Sequence, residues 1–176
     1  MNKIIQPIDT AQQLEVIERT HQFIRLAKKF YGQEFNLIPV RFNLTGATAG
    51  MYRVRNHQPE LRYNPYLFAK YFAQNLSETI PHEVAHYIIH KMYDRTVRPH
   101  GPEWQQVMWD FGVEPVRTCD FDMSGIPVRR HRRFKYQCGC GIPHSMTARI
   151  HNKIVTGSRQ YFCKYCGQEL VIAPSA

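Results

Sequence analysis

The sequence predicts an α+β fold: helices packed on a small three-stranded antiparallel sheet, followed by a small β unit gathered around cysteines. Three observations carry this reading. Apolar residues recur at helical spacing over residues 11–31 and again from Val84 to Phe111. Short alternating runs separated by Gly and Asn turns fill residues 39–63, and four of the five cysteines stand in two close pairs near the C-terminus. A chain of 176 residues can bury one main domain with room for a small appendage.

Asp9 or Thr10 can cap the first helix, residues 11–31, whose apolar stripe is Leu14, Ile17, Phe23 or Ile24, and Ala27; Gly32 ends it. Val40, Phe42 and Leu44 alternate with Arg41 and Asn43, as in a half-buried strand over 39–44. Residues 51–55 make a second strand, Asn56-His57-Gln58-Pro59 a turn, and residues 60–63 a third strand. Asn64-Pro65 opens a helix reaching about Leu76. Ser77 or Thr79 can cap the next helix, because Pro81 has no amide proton and fits only a first turn. Residues 93–99 are polar and end in Pro99, so this helix stops there; Pro102 begins another, with Trp104, Val107, Met108 and Phe111 on one face.

The third of these helices carries His82-Glu83-Val84-Ala85-His86. Side chains four apart share a helix face, so both imidazoles can reach one ion while Glu83 holds a water beside it. Zinc lowers the pKa of such a water to about 7, and a neighbouring carboxylate can take its proton as it attacks a peptide carbonyl. Two ligands are too few. His90, Asp94, His100 and Glu103 are the candidates for a third, of which His90 lies two turns from His82, about 11–12 Å away and beyond joint reach. Tyr87, Tyr93, Arg98 and His90 are conceivable stabilisers of a developing oxyanion.

Cys138-Gly-Cys140 and Cys163-Lys-Tyr-Cys166 have the arrangement of two knuckles bringing four thiolates to one structural zinc, with His144 or His151 as alternatives to one of the first pair. Residues 145–149 and 153–156 read as strands joined at Gly157-Ser158. Cys119, left over, reads as structural.

The chain carries 23 Lys+Arg against 14 Asp+Glu, a net charge of +9. Residues 1–116 hold 13 basic and 11 acidic side chains and residues 117–176 hold 10 and 3, so the excess sits in the C-terminal third. That is the footprint of an anionic partner. Arg129, Arg130, Arg132, Arg133 and Lys135, with Arg149, Lys153, Arg159 and Lys164, can track a phosphate backbone, while Phe134, Tyr136 or Tyr161 offer stacking faces. This suits sequence-nonspecific contact with single-stranded or locally open DNA. The opening residues hold too short an apolar run for a signal peptide and no apolar run approaches 18 residues, so a cytoplasmic protein, open to association with the nucleoid and with no membrane partner, is expected.

The pair His-Glu-x-x-His and His100-Gly101-Pro102-Glu103-Trp104 with Met108 resembles the SprT family, bacterial relatives of the Spartan metalloproteases. The similarity continues through residues 134–140, 147–152 and 161–167. It implies a minimal zincin-like metalloprotease domain over residues 1–116, a basic connector over 117–136 and a zinc ribbon over 137–176. It further implies one catalytic zinc on His82, His86 and His100, Glu83 as general base, and a second, structural zinc. The function implied is a zinc endopeptidase acting on DNA-bound or DNA-crosslinked proteins. A DNA-associated regulatory zinc module without protease activity is the alternative.

Overall fold

The computed structural model describes residues 4–94, 96–117, 120–127 and 132–174. They fall into two compact units, Met1–Val128 and Arg129–Ala176. Arg129, Arg130 and Cys119 lie outside the described residues.

The first unit mixes helices with a three-stranded sheet. Helix α1, Thr10–Tyr31, starts at Asp9, whose side chain accepts from the Gln12 amide while Gln12 returns a bond to the Asp9 amide, and stops at Gly32 in the left-handed conformation. Its buried face is Val16, Thr20, Phe23, Ile24 and Ala27. Leu14, expected in the stripe, is 62% exposed; Val16 and Thr20 occupy the core instead.

Strands β1 (Val40–Arg41), β2 (Gly50–Arg55) and β3 (Gln58–Tyr63) form a sheet in the order β1-β3-β2. The expected all-antiparallel sheet is corrected here. β2 and β3 are antiparallel, but β1 runs parallel to β3, pairing Val40 with Leu61 and Arg41 with Arg62. The free edge of β2 faces the site helix, so β1 adds to β3, and the hairpin reversal makes that pairing parallel. The expected strand over 39–44 is shorter, with ladder pairing at Val40–Arg41 and single backbone bonds at Pro39 and Leu44. The β2–β3 hairpin turns at Asn56 and His57, both with positive φ, as a two-residue loop that follows the twist of its strands requires. Pro59 is tolerated in a central strand because β1 reaches only Leu61 and Arg62.

Asn64 is buried and caps α2 (Pro65–Lys70) by accepting from the Tyr66 and Leu67 amides, while its own amide group donates to the Gly46 carbonyl. After a break at Tyr71 the chain runs through α3 (Phe72–Gln74) and a π-helical turn, Asn75–Thr79, straight into α4 (Ile80–Tyr93). Neither Ser77 nor Thr79 caps α4, a second correction: Thr79 already has helical φ and ψ, and its hydroxyl donates to Asn75 Oδ1 at 2.7 Å. The wider turn accommodates Pro81 without a separate helix start. Helix α5, Pro102–Asp110, buries Trp104, Val107 and Met108. These join Ile24, Leu61, Tyr63, Phe68, Val84 and Ile88 in one core.

In the second unit β4 (Arg133–Gln137) is flanked by β5 (His144–Thr147) and β6 (Val171–Ile172), all antiparallel. The strand expected over 153–156 is instead the end of α6, Ala148–Val155. Thr147 caps it by accepting from the Ile150 amide, and Ile150, His151 and Ile154 share a face, which outweighs the strand preference of their branched side chains. His151 stacks on Phe134 at 3.5 Å between ring centroids. No helix among the described residues is long and apolar enough to cross a membrane.

Candidate metal centres

One turn of α4 separates His82 from His86, and both rings turn toward the loop before α5, where His100 stands. Gly101 donates its amide to the Arg98 carbonyl at 3.0 Å, closing a turn with Pro99 at its second position and His100 at its third. His100 has φ +57°, a conformation usually left to glycine at that place in a turn, and it aims the imidazole back at α4. The three Nε2 atoms converge: His82 to His86 is 3.2 Å, His86 to His100 3.0 Å and His82 to His100 3.1 Å.

That triangle fits a metal ion. Two nitrogens each about 2.0–2.1 Å from a tetrahedral ion stand about 3.3 Å apart, close to the spacing found. The donors are also in the right protonation state. Burial, then the charge of His100, pulls His82 down to about 4. Burial, then His82 and His100, pulls His86 to about 3, and burial and Arg117 lower His100. All three therefore present lone pairs at neutral pH. A hydrogen bond to the Val116 backbone works against that lowering of His82. Trp104, fully buried, forms the floor: it stacks on His86, meets His82 and His100 edge-on, and donates its indole N–H to the His82 carbonyl at 3.3 Å.

Glu83 is 8% exposed, and burial pushes its carboxyl up to about 7 against the opposing effect of one hydrogen bond, the Tyr52 amide donating to Oε2 at 2.7 Å. The edge of β2 comes this close because residue 50 is glycine. A Cβ there would lie 2.6 Å from Glu83 Cγ and 2.7 Å from Thr79 Cγ2. A cleft of about 570 Å³ on one side and another of about 520 Å³ on the other share Gly50, His82 and Glu83.

Of the other expected third ligands, none joins the cluster. His90 lies 3.9 Å from Asp94 Oδ1 and packs on Tyr52, and Glu103 begins α5 beyond the turn. Tyr87 is buried and donates to the Asn36 carbonyl at 2.9 Å, which removes it as an oxyanion donor. Sequence reasoning did not find Gly50, the Tyr52 amide or the Val116 carbonyl, and read Trp104 only as core. The one local signal for the close approach is a glycine directly before the expected second strand.

In the second unit the Sγ atoms of Cys138, Cys140, Cys163 and Cys166 all lie within 4.8 Å of one another. Thiolates about 2.3 Å from a tetrahedral ion stand about 3.8 Å apart, so the set fits one zinc. The amides of Cys166 and Tyr165 point at Cys163 and lower its thiol to about 6, favouring the ligating form. His151 is engaged elsewhere, its Nδ1 2.9 Å from the Tyr136 hydroxyl, and His144 sits 3.6 Å from Cys138 Sγ. Among the described basic residues, Arg132, Arg133, Lys135, Arg149 and Arg159 are exposed and Lys153 is half-buried on α6. Of the expected stacking faces, Tyr136 is corrected, being 1% exposed; Phe134 lies between His151 and the Arg132 guanidinium, and Tyr161 is half-buried with the Arg159 guanidinium over its ring. Among the described residues of this unit, Phe162 and Tyr165 are the exposed aromatics.

Fold and site together define a small α+β chain with two candidate metal centres, one of imidazoles and one of thiolates. Residues 20–130 match the SprT-like family. Among similar proteins, Protein SprT of Pasteurella multocida is 35% identical over 90% of this chain and 92% of its own length. Protein SprT of Shewanella oneidensis is 32% identical over 92% and 99%, and that of Vibrio parahaemolyticus 36% over 84% and 86%. The chain belongs to the SprT-like family.

Proposed function

We propose that this chain is a zincin-like zinc endopeptidase directed to DNA-bound or DNA-crosslinked proteins, its second unit held by a structural zinc. The observation that supports this best is the convergence of three imidazoles beside a buried carboxylate in an open cleft. When bound, zinc supplies Lewis acidity that polarises a scissile carbonyl and acidifies the attacking water. Glu83 takes the proton from that water as its oxygen adds to the carbonyl carbon, and returns it to the amine nitrogen as the C–N bond breaks. A carboxyl lifted toward neutral by burial is suited to both transfers. The Tyr52 amide fixes the carboxylate, and the outer edge of β2 gives an extended peptide a strand to pair with across the cleft.

Because Gly50 sets the position of Glu83, Gly50→Ala should slow cleavage by about 100-fold, the usual cost of misplacing a catalytic group by about 1 Å. Steady-state rates with zinc content measured alongside check this; near-normal cleavage by a zinc-loaded variant contradicts it.

Targeting is assigned to Arg132, Arg133, Lys135, Arg149, Lys153 and Arg159 of the second unit, with Arg129 and Arg130 upstream; holding DNA raises the local concentration of proteins bound to it. The test is cleavage of a basic DNA-binding protein by the full chain, with and without single-stranded DNA. Cleavage that requires DNA supports the proposal. Cleavage indifferent to DNA leaves a general peptidase, and none from zinc-loaded protein turns the reading to a regulatory zinc module.

A further inference from the structure

The outward face of the first unit's sheet carries four arginines that the candidate site does not use. Across β2 and β3, Arg53 stands opposite Glu60, Arg55 opposite Gln58 and Met51 opposite Arg62; across β1 and β3, Arg41 stands opposite Arg62. Strand alternation therefore puts Arg41, Arg53, Arg55 and Arg62 on one face, while Leu61 and Tyr63 point into the core on the other.

Their hydrogen bonds hold them ready without neutralising them. Glu60, the one carboxylate among them, accepts from Arg41 Nε at 2.7 Å and Arg53 Nε at 2.5 Å. Both bonds use Nε, which leaves the terminal nitrogens of these two guanidiniums without a protein partner among the described residues. Arg62 is held by neutral atoms only, Asn43 Oδ1 at 2.8 Å, the Asn43 carbonyl at 3.3 Å and Met51 Sδ at 3.7 Å. Arg55 is exposed. One carboxylate thus faces four guanidiniums.

The composition of the face selects the partner. It has no aromatic residue, and Met51 is its only apolar member, so it lacks both the anchors of a protein interface and the wedge that enters a membrane surface. Fixed guanidinium forks match phosphate oxygens in pairs. We infer that this face binds the phosphate backbone of nucleic acid, giving the first unit a contact of its own beside that proposed for the second. The inference shares with the proposed function only the choice of DNA as partner and does not depend on protease activity.

The experiment is fluorescence anisotropy of the full zinc-loaded chain with a labelled duplex of about 30 base pairs across a sodium chloride series. The variant is Arg55→Gln with Arg62→Gln, which leaves Glu60 and both of its partners intact. Arg55→Lys with Arg62→Lys keeps the charge, and Arg132→Gln with Arg133→Gln removes charge from the second unit only. The double Gln variant should flatten the slope of log K against log salt by about 0.9 per arginine, about 1.8 in all, and the Lys pair should restore most of it. An unchanged slope and affinity in the Gln variant would overturn the inference, as would equal loss in the Lys variant, which would indicate a structural role. Loss of binding to anionic phosphatidylserine vesicles with DNA binding unchanged would overturn it in favour of a membrane. If the Arg132/Arg133 variant alone loses DNA, this inference falls while the targeting proposed above stands; if the native chain binds no DNA, both fall.

Discussion

Glu83→Gln should remove peptide cleavage, by about 10²–10⁴-fold in kcat, and leave the metal in place. The amide is isosteric, its oxygen can still accept from the Tyr52 amide, and no ligand nitrogen is touched. What disappears is the group that accepts and returns a proton. A second readout comes from stability. In the metal-free protein the Glu83 carboxyl is raised from 4.5 to about 7, so the folded state binds its proton more tightly than the unfolded chain does. Its relative contribution is most favourable below pH 4.5 and is lost as pH rises through about 7, where a buried charge must be carried. Metal-free Glu83→Gln should therefore melt higher than metal-free native protein at pH 8, with the gap closing toward pH 4.5. Full cleavage by the variant, or a melting difference that does not vary with pH, would contradict the role given to this carboxylate.

Removing metal from the second unit should unfold it while the first unit stays folded. Among the described residues the buried core of that unit is Tyr136, Cys138, Cys163 and Leu170, so half of it is cysteine. Structural zinc in comparably small units contributes apparent binding free energies of about 10–16 kcal/mol, more than such a core can supply. The first unit draws on α1, α4, α5 and the sheet. Limited proteolysis of the full chain with a strong chelator should cut within residues 132–174 and spare residues 10–110; Cys163→Ser with Cys166→Ser should behave the same way without chelator. Continued protection of the C-terminal residues under both conditions would show that the thiolate cluster is not what holds the unit.

The candidate site was legible where chemistry is written locally. Two histidines four apart on an apolar helix, a glutamate between them and paired cysteines announce themselves because spacing and residue type carry the whole signal. His100 was reached through the residues that follow it, since the turn that aims it back depends on a left-handed backbone at a histidine, which no periodicity reveals. What escaped was long-range. The direction of β1 depends on which edge of the hairpin remains free, and the approach of β2 to Glu83 depends on a missing Cβ. Residues 153–156 read as a strand because Ile154 and Val155 are branched, whereas Thr147 as cap and His151 against Phe134 decide for a helix. The arginine face was hidden within residues 1–116, whose charges nearly cancel; strand parity gathers the cations on one surface.

Three histidines should hold one metal ion and four cysteines another. Zinc content of the purified, dialysed full chain, measured by elemental analysis beside His100→Ala and Cys163→Ser/Cys166→Ser, tests it most directly. Two zinc ions per native chain and one in each variant are expected, with the His100→Ala protein keeping a folded second unit. One zinc in the native chain, or two in His100→Ala, would contradict it.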